Sequence, residues 1–96
     1  MALLSEATLT AENTWTDAKT HEGYLNLSIS GTFSATVTVQ RSYNGSTWHD
    51  VDTFTSAAEE VGFEPESIWY RAGIKTGDYT SGTVEVRLGF EDRENR

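Results

Sequence analysis

Residues 32–48, reading Thr-Phe-Ser-Ala-Thr-Val-Thr-Val-Gln-Arg-Ser-Tyr-Asn-Gly-Ser-Thr-Trp, constrain the fold of this chain more than any other stretch. From Thr32 to Tyr43 the odd positions are Phe33, Ala35, Val37, Val39, Arg41 and Tyr43, and the even ones are Thr, Ser, Gln or Ser again. Successive strand side chains point to opposite faces, so the pattern predicts one buried and one wet face. The β-branched Thr and Val favour a strand over a helix. Asn44-Gly45 is the preferred pair for a tight hairpin turn, since both residues tolerate positive φ. In the returning segment, Ser46 to Phe54, Trp48 and Phe54 share a parity that Val51 breaks. A β-bulge near Asp50 is expected to bring all three to one side.

Alternation continues elsewhere. Tyr24 to Ser30 buries Leu25, Leu27 and Ile29; Ile68 to Ile74 buries Ile68, Tyr70, Ala72 and Ile74; Thr83 to Phe90 buries Val84, Val86, Leu88 and Phe90. Ala7 to Thr10 and Trp15-Thr16 read as shorter strands, and residues 17–23 as mostly loop. Residues 55–60 read as an exposed turn, Glu64-Pro65 as a break, and residues 76–82 as a connection. The prediction is an all-β chain: a single antiparallel β-sandwich, Ig-like or jelly-roll-like, of seven to eight short strands. A small closed barrel is the other solution. Residues 1–6 are expected to form a flexible N-terminal arm, 7–90 the sandwich, and 91–96 a polar tail that frays.

Ninety-six residues suffice for one core. The chain has no cysteine, which removes disulfides, thiolate zinc ligands and a thiol nucleophile. Seven basic against fifteen acidic residues leave a formal charge of −8, a surface that a phosphate backbone repels, so no nucleic-acid partner is expected. No run is long enough for a membrane-spanning helix, and Met1-Ala-Leu-Leu-Ser lacks the basic start and full apolar stretch of a signal peptide, so synthesis and residence in the cytosol are expected.

The residues that carry chemistry form no catalytic or metal-binding constellation. His21 and His49 are far apart without ligand spacing. Asp50 and Asp52 are expected to share a strand face as solvated charges that protect an edge. Glu59, Glu60, Glu64 and Glu66 are the densest acidic cluster, without the grammar of a calcium loop, and are expected to be solvated or to meet a basic partner. No enzyme activity, cofactor or metal is expected. Ser42-Tyr-Asn-Gly-Ser-Thr-Trp48 resembles the Asp-box hairpin of sialidases, with Asn44 in place of the aspartate and one residue fewer before the glycine. That motif is a structural turn of several β folds and occurs here once, which rules out a propeller. The candidate binding residues are the aromatics expected outside the core, Trp15, Trp69 and Tyr79, together with Leu3 and Leu4 as anchors of the arm.

The segments Gly31-Thr-Phe, Thr38-Val-Gln-Arg-Ser-Tyr-Asn-Gly-Ser-Thr-Trp-His-Asp-Val51, Glu64-Pro-Glu66 and Trp69-Tyr-Arg-Ala-Gly-Ile-Lys-Thr-Gly-Asp-Tyr-Thr-Ser-Gly-Thr-Val-Glu-Val-Arg-Leu88 together resemble a group of short β-sandwich virion proteins of tailed bacteriophages. The likeness spans roughly residues 23–90, and Thr76-Gly-Asp-Tyr-Thr-Ser-Gly82 is among its most distinctive parts. It implies a capsid decoration protein, made in the host bacterial cytoplasm, that binds the major capsid protein on the exterior of the head. It also implies a homo-oligomer, such as a trimer at symmetry points. The alternative is a carbohydrate-binding or adhesive module of a virion fibre or tail, with Trp15, Trp69 or Tyr79 stacking on sugars.

Overall fold

The alternating segments pair into antiparallel ladders in the computed structural model, which describes residues 3–90. Among these residues there is no helix. The nine strands are β1 (Leu3–Leu9), β2 (Thr14–Trp15), β3 (Lys19–Ser30), β4 (Phe33–Ala35), β5 (Val37–Ser42), β6 (His49–Phe54), β7 (Ala58–Ile74), β8 (Tyr79–Gly82) and β9 (Val84–Phe90). The main sheet runs β1-β9-β3-β7-β5-β6, with β2 also on β7, and β4 pairs with β8 in a small second sheet.

Two strands are much longer than expected, β3 with twelve residues and β7 with seventeen, and they turn the sheet into a sandwich. Their register slips at one point: His21 pairs with Ile68 but Gly23 with Glu64. Glu22 therefore faces Pro65, Glu66 and Ser67, and a mismatch of this kind bends a sheet sharply. Beyond the corner, Gly23–Ile29 and Ala58–Glu64 lie in one layer with β9 and β1. Before it, Lys19–His21 and Ile68–Ile74 lie in the other with β2, β5 and β6.

The inner faces meet in one core. Leu9, Leu27, Ile29, Val84, Val86, Leu88 and Phe90 come from the first layer and Val37, Val39, Ile68, Tyr70, Ala72 and Ile74 from the second, all buried. Each fully buried aliphatic side chain contributes about 1.5–3 kcal/mol. The inward sets expected for β3, β7 and β9 are the observed ones, with Leu25 only partly covered.

Several expectations are corrected. Residues 3–6 are no flexible arm: they extend β1, paired with β9 from Leu3↔Phe90 onward. Met1-Ala2 and the tail 91–96 lie outside the described residues. Residues 19–23 are strand, and His21 is buried, its Nε2 2.8 Å from the Gly23 carbonyl oxygen and its ring 4.7 Å from that of Phe90. Pro65 lies inside β7 without ending it, because it falls at the register slip, where neither β3 nor β5 pairs with it and a missing N–H breaks no ladder bond. Residues 79–82 of the expected connection form β8.

The bulge in β6 exists, with Val39 opposite Asp52 and Gln40 opposite Asp50, so that Val51 is the extra residue. It does not gather Trp48, Val51 and Phe54 on one side, since Phe54 packs on the core while Trp48 stacks outside on Arg71. Adjacent β5 residues face opposite ways, so Asp50 and Asp52 lie on opposite faces, not on one.

Candidate docking surface

The aromatics marked from sequence are mostly engaged within the fold. Trp15 packs over Arg71, whose guanidinium carbon lies 4.0 Å from the Trp15 ring and 4.3 Å from that of Trp48. Such stacking contributes about 0.5–2 kcal/mol per ring. Arg71 Nε donates to Gln40 Oε1 (2.9 Å), Gln40 Nε2 donates to Asp50 Oδ1 (2.8 Å), and Lys75 Nζ donates to Asp50 Oδ2. Burial pulls the pKa of Arg71 down, and the bonds from Lys75 and Gln40 hold the Asp50 carboxyl below the usual carboxylate range. This ladder covers the outer face of β5, which is why Gln40, expected in water, is buried.

Trp69 lies beneath the β5–β6 connection. A Cβ on Gly45 would stand 3.0 Å from its indole, so the turn rests on the ring. The turn itself is wider than a two-residue hairpin. Ser42 Oγ accepts from the N–H groups of Asn44 (3.2 Å) and Gly45 (2.8 Å), and Asn44 Oδ1 accepts from those of Ser46 (2.8 Å) and Thr47 (2.9 Å). Only Gly45 has positive φ, at 80°. Asn44 thus organises the loop through its side chain. Tyr79 is half-buried against the core, and its hydroxyl donates to the Gly82 carbonyl (2.9 Å).

Of the six large apolar side chains exposed among the described residues, Tyr43 lies just after β5 and Val51 in β6, and the other four lie on the outer face of the β1-β9-β3-β7 layer. One row across it is Leu4, Gly89, Asn26 and Val61, fixed by the pairs Leu4↔Gly89, Asn26↔Gly89 and Asn26↔Val61. Beside it Tyr24 pairs with Phe63, their rings 4.9 Å apart and inclined by 59°. Leu4 is 37% exposed, Tyr24 62%, Val61 79% and Phe63 54%. Gly89 keeps the middle of the row low, and a Cβ there would meet Asn26 Oδ1 at 2.7 Å. The rest of this face is polar: Thr8 donates to Glu85 and Ser28 to Glu59, each at 2.6 Å, and Arg87 to Asn26 at 3.3 Å. An apolar end beside a polar field has the composition of a protein contact surface.

Of the sequence candidates only Leu4 belongs to this surface. Leu3 adjoins it through its backbone pairing with Phe90. Trp15, Trp69 and Tyr79 lie elsewhere. Tyr24, Val61 and Phe63 were missed, although their positions opposite the buried parity of β3 could have flagged Tyr24.

At the corner, Glu64 is buried. Its Oε1 accepts from Arg41 Nη1 (2.8 Å) and from the Tyr70 hydroxyl (2.7 Å). Burial and this carboxylate push the Tyr70 phenol up to about 12. Of the acidic cluster expected in water, Glu64 is therefore the exception. Among the described residues no three His, Asp or Glu side chains gather to hold a metal, and no helix is long and apolar enough to cross a membrane. No family model, curated protein or solved structure matches this chain.

Proposed function

We propose that this protein is a structural component of a tailed-phage virion, a decoration protein that docks on the exterior of the capsid through the outer face of the β1-β9-β3-β7 layer. The observation that carries the docking mode is the exposed group Leu4, Tyr24, Val61 and Phe63 on one rigid sheet face. Strand pairing already orders the backbone that carries these four side chains, so only their rotamers lose freedom on contact. The likeness of residues 23–90 to phage sandwich proteins supplies the partner, the major capsid protein. The formal charge of −8 suits a protein held soluble at high copy number before assembly. On a symmetric shell, copies grouped around symmetry points turn weak single contacts into stable decoration.

The carbohydrate-binding alternative draws less support, because Trp15 is stacked on Arg71 and Trp69 is covered by the Gly45 turn.

Purified heads stripped of this protein and mixed with it should take it up to a fixed, symmetric stoichiometry visible by cryo-electron microscopy. Val61→Glu combined with Phe63→Ser should abolish uptake while circular dichroism and thermal unfolding stay near wild type. Absence of the protein from purified virions would sink the proposal, and undiminished uptake of the double variant would sink this docking face.

A further inference from the structure

The two sides of the sandwich are closed differently. On one side β1 lies near β2, and Ser5 Oγ donates to the Asp17 carbonyl oxygen (2.7 Å), tying the layers together. On the other side the Arg41–Glu64 ion pair joins the layers at the corner, and past it a cleft separates β6 from β7. The N-terminal half of β7, residues 58–64, pairs with β3 alone, because β5 takes up only Trp69–Gly73. Its second edge of backbone N–H and C=O groups has no ladder partner among the described residues.

Between that edge and β6 runs a cleft of about 330 Å³, floored by Leu25, Leu27, Val39 and Leu88, with Val51 and Phe63 at its mouth. The size lies near the lower end of natural binding clefts, roughly 300–1,000 Å³. Its walls are acidic: Glu60 stands on the β7 side and Asp52 on the β6 side. The cation in the cleft, Arg41, is already held by Glu64.

We infer that this open seam accepts an extended segment of a partner protein, added as a strand to residues 58–64 of β7, with apolar side chains at alternate positions and lysine or arginine between them. An added strand satisfies the free edge through main-chain hydrogen bonds, and its inward side chains fill the apolar floor, as side chains of alternating direction require. The basic residues fall on the opposite face, where they meet Glu59, the partner of Ser28. A second copy of this chain fits less well, because it brings its own glutamates and a charge of −8 to an edge that is already acidic. Pro65, which has no N–H to offer, marks the end of the accepting edge. Phe63 belongs both to the mouth of the cleft and to the outer docking face, but protection of the edge amides by a peptide is read without any capsid, so this inference and the virion reading fail separately.

The test uses the full chain and an alternating Lys-Val heptapeptide, with a Glu-Val peptide and a Lys-Val peptide carrying a central proline as controls. Amide hydrogen exchange is followed by NMR. With the Lys-Val peptide at about ten times its Kd, alternate amides between residues 58 and 64 should exchange about tenfold more slowly by mass action. The proline peptide should give no such protection, and Glu59→Lys should weaken the Lys-Val peptide and favour the Glu-Val one. Three results would overturn the inference. These are no protection up to millimolar peptide, equal protection by the Glu-Val peptide, or edge amides protected without peptide in a concentration-dependent dimer.

Discussion

Replacing Glu64 tests whether the corner of the sandwich is held by one carboxylate. In Glu64→Ala the Tyr70 hydroxyl loses its acceptor inside a residue only 6% exposed, and an unsatisfied buried polar group costs about 1–3 kcal/mol. Arg41 loses its ion pair, but its side chain is 36% exposed and re-enters water, so this adds only about 0.5–1 kcal/mol. Because the site opens to the cleft, water softens the penalty, and the net destabilisation should be about 2–3 kcal/mol. For a domain of this size that lowers Tm by about 10–20 °C. Glu64→Gln keeps an oxygen for Tyr70 and loses the charge, so it should cost about 1 kcal/mol. Adding Tyr70→Phe to Glu64→Ala removes the stranded hydroxyl and should recover about 1 kcal/mol, since deleting both partners is milder than deleting one. Guanidinium unfolding followed by tryptophan fluorescence reads each value, with the m-value unchanged. A Glu64→Ala variant within about 0.5 kcal/mol of wild type, well inside the range of ordinary surface substitutions, would refute the argument. So would a double variant less stable than the single.

The same triad sets a pH dependence. The Tyr70 phenol titrates near 12 in the folded chain against 10.0 for an unperturbed tyrosine, so its contribution is complete below pH 10 and fades as the pH rises towards 12. Over that window wild type should lose about 2–3 kcal/mol more stability than Tyr70→Phe, and parallel alkaline unfolding curves would contradict it. At Gly73 a Cβ would fall 2.2 Å from the Thr14 carbonyl oxygen and 2.6 Å from the Trp15 ring. Gly73→Ala should therefore lift β2 off β7 at a cost of about 1–3 kcal/mol. The Arg71 side-chain NMR signals should move towards those of an unstacked arginine, and unchanged signals would argue against the stack.

The all-β class and the core were legible where one face is apolar and the other is not. The C-terminal half of β3, the C-terminal half of β7 and all of β9 alternate cleanly, and periodicity identified their inward residues. The rest depends on partners distant in sequence. His21 is buried because it sits at the corner under Phe90, which no local pattern of Asp17 to Gly23 reveals. Pro65 read as a break because a lone chain does not show which strand edges are free. Trp15 and Trp48 read as loose aromatics because Arg71, which joins them, is far from both in sequence. The docking surface was legible only in Leu4. Val61 and Phe63 reach it through pairing with Asn26 and Tyr24, a register no single segment specifies.

The ladder between β1 and β9 sets Leu3 opposite Phe90, so the described chain starts and finishes at one spot, and the backbone is nearly a closed ring. A ring can be cut anywhere that the cut breaks no ladder. Joining the ends with a short linker and opening the chain within residues 76–78, between β7 and β8, would give a permuted protein with the same pairs in a new order. In the native order, β1 must wait for β9 to be made before it finds its ladder partner. In the permuted order those two strands become a hairpin, and one of the slowest closures of the fold becomes one of its quickest.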